Sequence, residues 1–167
     1  MMELNDRQKA EFYHRCFTAV DGLWFMKVEE TYGFDTALDI DDAVWRVMPK
    51  IQARVLKQSC SQDSDIKALY ECFTTKQLLE GFTLEAEMDN DSSGFTVKVR
   101  RCPWHETMIR SGREHLSGQI GNRICHTECS GWAAEFGDDI EGILEEQICT
   151  GSDICRFYFH RRAKGVQ

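Results

Sequence analysis

Residues 82–101, FTLEAEMDNDSSGFTVKVRR, give the clearest indication of the fold. Apolar and polar residues alternate with a period of two in residues 82–88 and again in residues 95–101. This alternation is typical of strands with one buried face, and the DNDSSG segment between them has the composition of a turn. We therefore predict a β-hairpin over this stretch.

A second hairpin is predicted near the C-terminus, where GILEEQIC and ICRFYFHR flank the turn sequence TGSD. Glycine, serine and aspartate favour the backbone conformations that tight turns require. Between the two hairpins, Pro103 suits the first turn of a helix, which we extend to about Ser117. Residues 132–136 predict a further short helix.

Helical spacing dominates the first half of the chain. Apolar residues recur at helical intervals from residue 12 to residue 24, and Gly33 is expected to end this first helix. Residues 39–42 offer N-caps for a second helix, in which Pro49 predicts a kink or a new start. A third helix is expected to open at residues 61–65 and to end near glycine 81.

The order of these elements predicts the α+β class, with N-terminal helices packed on an antiparallel sheet built from two hairpins. The sequence of 167 residues is long enough for one core, and it contains no internal repeat or long linker. We therefore expect a single domain over residues 1–167. Residues 1–80 would form its helical part, and residues 81–167 a hairpin–helix–hairpin part that carries a cysteine cluster.

The charge balance argues against two classes of partner. The chain has 20 Lys and Arg against 28 Asp and Glu, which gives a formal net charge of −8. Nucleic acid and anionic membranes both attract basic surfaces, so we expect neither as a partner. No apolar run approaches the roughly 20 residues of a membrane span, and the polar start MMELNDRQKAEFYHR does not resemble a signal peptide. A cytoplasmic location, with reduced cysteines, is the expectation.

Four of the eight cysteines lie in a C-x3-C pair and a C-x5-C pair that nineteen residues separate. Cysteine thiolates are common ligands of zinc and of iron–sulfur clusters. Cys125 and Cys129 would lie within one helical turn, and Cys149 and Cys155 at facing ends of the second hairpin. The two pairs could therefore meet in one metal site, with Glu146 as an alternative fourth ligand. Four small buried hydrophobic residues are the other interpretation.

Cys102 stands at the end of a predicted strand and immediately before a helix N-terminus, where the helix dipole favours the thiolate. His105 is three residues further on, so a Cys–His nucleophile is one interpretation. A further metal ligand and a core residue are the others. Trp24, Trp104 and Trp132 are candidate walls of a small-molecule pocket, although aromatic residues also dominate cores.

Three late motifs resemble those of the 4-vinyl-reductase domain: residues 129–136, Glu146-x-x-Cys149, and Gly151 followed by Cys155-Arg-Phe157. That family includes the sensory domains of phenol-responsive bacterial transcription activators. The resemblance implies a small α/β domain that encloses an organic ligand and holds a structural zinc nearby. By position it implies Cys125, Glu146, Cys149 and Cys155 as the zinc ligands, with Cys129 able to replace Glu146.

A likeness over nearly the whole chain is carried by DGLWF at residues 21–25, by Cys102-Pro103-Trp104 and by residues 149–157. These features resemble uncharacterised bacterial and archaeal proteins related to the L-2-amino-thiazoline-4-carboxylic acid hydrolase-like family. The resemblance implies, as an alternative function, a hydrolase that opens a small cyclic substrate at a C–N or C–S bond.

Taken together, these features predict a metal-containing domain that binds a small organic molecule. A cysteine-ligated structural centre, with zinc as the expected metal, would lie beside an aromatic pocket. The alternatives are the hydrolase, acting through Cys102 or through a metal-activated water, and an iron–sulfur protein. Apolar positions on the first helices would also suit a homodimer.

Overall fold

The computed structural model of the protein describes residues 2–60 and 65–162. The chain divides into two compact units, residues 1–43 and residues 44–167. Most of the predicted opening of the third helix, at residues 61–64, lies outside the described residues. In the part of the chain that is described, no helix is both long enough and apolar enough to cross a membrane.

The first unit consists of α1 (Asp6–Tyr32) and most of α2 (Phe34–Trp45). A capping box at Asn5 satisfies the free backbone amides at the start of α1. The helix ends at Gly33, as predicted, where a φ of 88° suits glycine. The prediction that residues 39–42 start a helix is wrong, because they lie inside α2.

The described residues of the second unit form four helices, a four-stranded sheet and a short 3₁₀ helix. In chain order these are α3 (Met48–Lys57), α4 (Ile66–Leu79), β1 (Thr83–Met88), β2 (Gly94–Arg101), α5 (Pro103–Arg110), α6 (Glu114–Ala134), β3 (Ile140–Glu146), the 3₁₀ helix (Ile148–Thr150) and β4 (Cys155–Arg161). The sheet is antiparallel with the order β1-β2-β4-β3, so the two predicted hairpins join through β2 and β4. The predicted α+β class is confirmed.

The helices of the second unit depart from the prediction at three places. Pro49 lies in the first turn of a separate helix, α3, so four helices rather than three precede the sheet. The helix predicted to run from Pro103 to Ser117 ends at Arg110, because Gly112 turns the chain with a φ of 71°. Residues 132–134 are then the last turn of the 21-residue α6 rather than a separate short helix.

The core of the second unit lies where α4 and α6 cover the sheet. Phe73 on α4 is fully buried, and its ring lies edge-on to Trp132, Phe157 and Phe159, with centroids 5.7, 5.5 and 4.8 Å away. Alternate residues of the central strands point to the same side, which is the alternation that the sequence shows. Those of β2 are Phe95, Val97 and Val99, all fully buried.

Helix α6 and the sheet approach each other closely at Gly142 on β3. A Cβ atom on this residue would lie 2.7 Å from Sγ of Cys129, 2.7 Å from Cε1 of Phe159 and 3.0 Å from the carbonyl oxygen of Cys129. A larger residue would therefore force a buried sulfur and a buried ring to shift, and it would press on the helix backbone. Glycine at this position allows α6 to pack this close to the sheet.

Substitution Gly142→Ala is expected to lower the free energy of unfolding by about 1–3 kcal/mol, as overpacking of a core does. Gly22→Ala is the matched control, because Gly22 lies within α1 and a Cβ there would meet nothing within 4 Å. That control should raise stability by up to about 1 kcal/mol through helix propensity. Urea denaturation measures the free energy of unfolding of both variants. Equal changes in Gly142→Ala and Gly22→Ala would contradict the close approach at Gly142.

Candidate functional site

Four thiols from four separate elements come together in the second unit. Cys102 is the N-cap of α5, Cys125 lies on α6, Cys149 lies on the 3₁₀ helix and Cys155 begins β4. In each of the six pairs among them, the charge of one thiol would act on the pKa of the other. We call these four residues the thiol cluster.

Glycine on α6 makes room for this cluster. A Cβ atom on Gly121 would lie 2.6 Å from Sγ of Cys149 and 3.9 Å from Sγ of Cys125, so both sulfurs lie against the same bare stretch of helix. The segment before the 3₁₀ helix is held there by Gln147, whose Nε2 donates to the carbonyl oxygen of Gly121 at 3.0 Å. Gly151, with a φ of 102°, then turns the chain towards β4.

Two of the sulfurs accept hydrogen bonds from backbone amides. Sγ of Cys155 accepts from the amide of Ile148 at 3.3 Å, and Sγ of Cys102 accepts from the amide of His105 at 3.5 Å. Such bonds favour the thiolate, as the position of Cys102 at a helix start also does. Both sulfurs are therefore oriented by the fold rather than free to rotate.

Burial acts in the opposite direction and outweighs these bonds. Loss of solvent raises the pKa of Cys102 to about 11, and it also raises the pKa values of Cys125, Cys149 and Cys155. At neutral pH burial therefore keeps Cys102 protonated, although its position at the start of a helix favours the thiolate. The contact with His105 runs through its backbone amide, so the proposed Cys–His nucleophile stays a prediction.

Cys129 and Glu146, the two alternative fourth ligands, lie in different surroundings. Cys129 is buried against Gly142 between α6 and the sheet. Burial raises the pKa of its thiol, and the nearby charge of Glu128 raises it further. Glu146 accepts from Nε of Arg156 on the neighbouring strand at 2.7 Å. The structure therefore groups Cys102 with the three other predicted ligands.

The thiol cluster is a group of neighbours rather than a finished coordination site. Among residues 2–60 and 65–162, no three His, Cys, Asp or Glu side chains are already arranged to hold a metal ion. The zinc expected from the sequence therefore stays a prediction.

A buried ion cluster lies beside the thiols. Nζ of Lys76 on α4 is 2.8 Å from Oε2 of Glu80 and also contacts Oε1 of Glu128 on α6. Burial opposes the charge of Lys76, but the two carboxylates raise the pKa of its ammonium above the ordinary value. Burial raises the pKa of Glu128, and the charge of Glu80 adds to this rise, whereas the ammonium of Lys76 opposes it. We call these three residues the Lys76 cluster.

Glu128 connects the two clusters, because its charge raises the pKa values of Cys102 and Cys125. On the other side, Nζ of Lys76 lies 6.0 Å from the ring centroid of Trp45 and 5.7 Å from that of Phe82. These cation–π distances place the ammonium among aromatic rings.

Two buried side chains near this region have unused hydrogen-bonding atoms. Gln77, next to Lys76 on α4, is 1% exposed, and neither its Oε1 nor its Nε2 has a hydrogen-bond partner among the described residues. Nε1 of Trp132 on α6 is likewise without a partner in that part of the chain, and Trp132 is fully buried. Such atoms are rare in folded proteins and each costs about 1–3 kcal/mol.

The three predicted pocket tryptophans differ in exposure. Trp24 on α1 is 62% exposed, whereas Trp104 on α5 is half-buried and packs edge-on against Trp45, with centroids 6.0 Å apart. Trp132 lies in the core against Phe73. The sequence analysis missed Lys76, Gln77 and Glu80, although their helical spacing from the apolar residue 73 places them on the inward face.

Three comparisons with known proteins place this architecture. Residues 9–142 match the family of unknown function DUF6125. Monoterpene synthase 7, chloroplastic, from Hedychium coronarium is 26% identical over 113 residues, which are 66% of this chain and 18% of the synthase. The chain thus spans less than a fifth of the length of that curated relative.

Two solved structures share the fold. The phenol-responsive sensory domain of the transcription activator PoxR, with phenol, has a TM-score of 0.51 and 16% identity, over 86% of this chain and 73% of that one. A trafficking protein particle complex subunit 3 from Naegleria fowleri, covalently bound to palmitic acid, has a TM-score of 0.55 and 10% identity, over 92% and 97%. Neither match names the 4-vinyl-reductase domain or the hydrolase-like family, so both stay predictions.

Substitution Lys76→Met is expected to lower the free energy of unfolding by roughly 3–5 kcal/mol at pH 7, because it leaves two buried carboxylates without a cation. Burial already raises the pKa of Glu128, and loss of the opposing ammonium would raise it further, so the variant should regain stability as the pH falls. Urea denaturation between pH 5 and pH 8 measures this. Lys27→Met, which removes an exposed ion pair with Glu30, is the control and should cost under about 1 kcal/mol.

Proposed function

The chain belongs to the DUF6125 family, and we propose that this member binds a small organic molecule beside a cysteine-ligated metal centre. The observation that carries the proposal is the pair of buried side chains with unused hydrogen-bonding atoms, Gln77 and Trp132. A folded protein normally pairs such atoms, and those left over are candidates for contact with a ligand. The fold likeness to a sensory domain solved with phenol agrees with this proposal.

The chemistry of the two side chains indicates what the ligand offers. Nε1 of Trp132 and Nε2 of Gln77 donate hydrogen bonds, whereas Oε1 of Gln77 accepts one. A hydroxyl group can both accept and donate, so an aromatic alcohol would satisfy these atoms. Its ring would suit surroundings that contain Phe73, which packs against Trp132. Aromatic walls with a few polar groups are typical of small-molecule sites.

The thiol cluster would hold the metal. Four cysteine sulfurs are the donor set of structural zinc sites, and they also suit an iron–sulfur cluster. A zinc ion bound by four thiolates has no open position, so it would supply structural stability rather than a reactive water. It would tie α5, the middle of α6, the 3₁₀ helix and β4 together. Cys102 takes the fourth place in this proposal, instead of Cys129 or Glu146.

The ligand proposal is tested with phenol as the probe. Phenol should bind and raise the melting temperature, whereas benzene, which lacks the hydroxyl, should bind more weakly. Trp132→Phe should reduce phenol affinity about 3- to 10-fold, the effect of losing one hydrogen bond of roughly 0.5–1.5 kcal/mol. Trp24→Phe on the exposed face of α1 is the control, and calorimetric titration measures all four cases. Equal phenol affinity in Trp132→Phe and Trp24→Phe would contradict the assignment.

The metal proposal is tested by elemental analysis of protein purified without oxygen. One zinc per chain is expected, and Cys102→Ser should lose both metal and stability because binding to a structural site is coupled to folding. Cys129→Ser and Glu146→Gln are the matched controls and should keep the metal. Iron together with sulfide, and a brown colour, would show that the four thiols hold an iron–sulfur cluster instead of zinc. Protein that contains no metal would contradict the proposal, and the four thiols would then be buried core residues.

A further inference from the structure

A second group of thiols lies outside the thiol cluster. Cys60 follows the end of α3, and Cys72 lies on α4, within the same compact unit. Both residues line a small cavity of about 140 Å³. The other lining residues are Leu56, Ser59, Glu71 and Thr75. This cavity combines two thiols and a carboxylate, and the proposed binding function uses none of them.

The contacts inside the cavity connect all three groups. Sγ of Cys60 donates to Oε2 of Glu71 at 3.1 Å. Cys60 also lies close enough to Cys72 to raise the pKa of that thiol. Cys60 is thus positioned between a proton acceptor and a second sulfur.

The two cysteines differ in accessibility. Cys60 is half-buried at the cavity wall, whereas Cys72 is 3% exposed and belongs to the core. Burial, followed by the neighbouring Cys60, raises the pKa of Cys72 to about 12. Cys72 therefore stays a thiol at neutral pH, and Cys60 is the sulfur that a molecule entering the cavity meets first.

We propose that Cys60 and Cys72 form a redox-active dithiol that a small hydroperoxide oxidises to a disulfide. Sγ of Cys60 attacks the O–O bond of the peroxide, and Glu71 accepts the proton from that thiol. The O–O bond breaks, one oxygen stays on Cys60 as a sulfenic acid, and the other takes the proton back from Glu71 and leaves as water or an alcohol. Sγ of Cys72 then displaces the remaining oxygen, which leaves as water with the thiol proton. Two electrons pass from the two sulfurs to the peroxide.

The size of the cavity supports hydrogen peroxide or a short alkyl hydroperoxide as the oxidant. A cavity needs only roughly 10–15 Å³ to hold one water, so about 140 Å³ has room for hydrogen peroxide. The half-buried position of Cys60 gives the peroxide a path to the first sulfur. The reaction would covalently link the segment after α3 to the middle of α4.

The sequence allows a direct measurement on the intact wild-type protein. Trypsin cuts after Lys57, Lys67 and Lys76, which places Cys60 on residues 58–67 and Cys72 on residues 68–76, with one cysteine in each peptide. After treatment with one equivalent of hydrogen peroxide, the free thiols are alkylated and the digest is analysed by mass spectrometry. The two peptides are expected as one linked species lacking two hydrogens, and dithiothreitol should separate them.

Cys16 provides the internal control, because it is exposed on α1 and is the one cysteine of the tryptic peptide 16–27. Oxidation of Cys16 while Cys60 and Cys72 stay alkylatable would overturn the proposal. A Cys60 that proceeds to sulfinic acid without forming the linked species would overturn it as well.

Two variants test the separate roles. In Cys72→Ser, Cys60 should stop at the sulfenic acid and react with dimedone, because the second sulfur is missing. In Glu71→Gln, the link should form several-fold more slowly, because the proton acceptor is gone. Dimedone labelling of Cys60 that is no greater than that of Cys16 would contradict the first role. An unchanged rate in Glu71→Gln would contradict the second.

Discussion

The ammonium group of Lys76, buried between the carboxylates of Glu80 and Glu128, is the contact on which the site depends. It joins α4, which covers the sheet, to α6, which carries the candidate functional residues. Cys125, Glu128 and Trp132 are spaced by three and four residues and so share one face of α6. Because Lys76 fixes the position of Glu128, it also fixes the sulfur of Cys125 and the indole of Trp132, which lie on either side of Glu128 along the helix.

Glycine completes the positioning of α6. Gly142 lets the helix approach β3 so closely that a Cβ there would overlap Sγ of Cys129 and the ring of Phe159, and Gly121 leaves space on the helix surface for Sγ of Cys149. The same helix therefore has one cysteine in the core, Cys129, and another, Cys125, among the sulfurs of the thiol cluster. A C-x3-C spacing does not assign both cysteines to one site, because residues four apart on a helix can contact different neighbours.

Local patterns explain most of what could be predicted from the sequence. Period-two alternation predicts the first hairpin, the turn sequence TGSD predicts the second, and Gly33 marks the end of α1. The break at Gly112 was missed because helical spacing continues on both sides of it. Long-range contacts could not be predicted from local patterns. Lys76 contacts a carboxylate 52 residues away, and Cys102 lies near sulfurs that come much later in the chain. One sequence shows which residues could bind a metal, but not which of them the fold brings together.

We propose that the sulfurs of Cys102, Cys125, Cys149 and Cys155 hold one metal ion or cluster. X-ray absorption spectroscopy at the metal edge of the native protein tests this proposal, because it counts the atoms bound to the metal. We expect protein sulfur ligands, at about 2.3 Å for zinc, and no oxygen or nitrogen neighbour. A bound carboxylate oxygen would contradict the four-thiol assignment, since it would require Glu146 or another carboxylate at the metal.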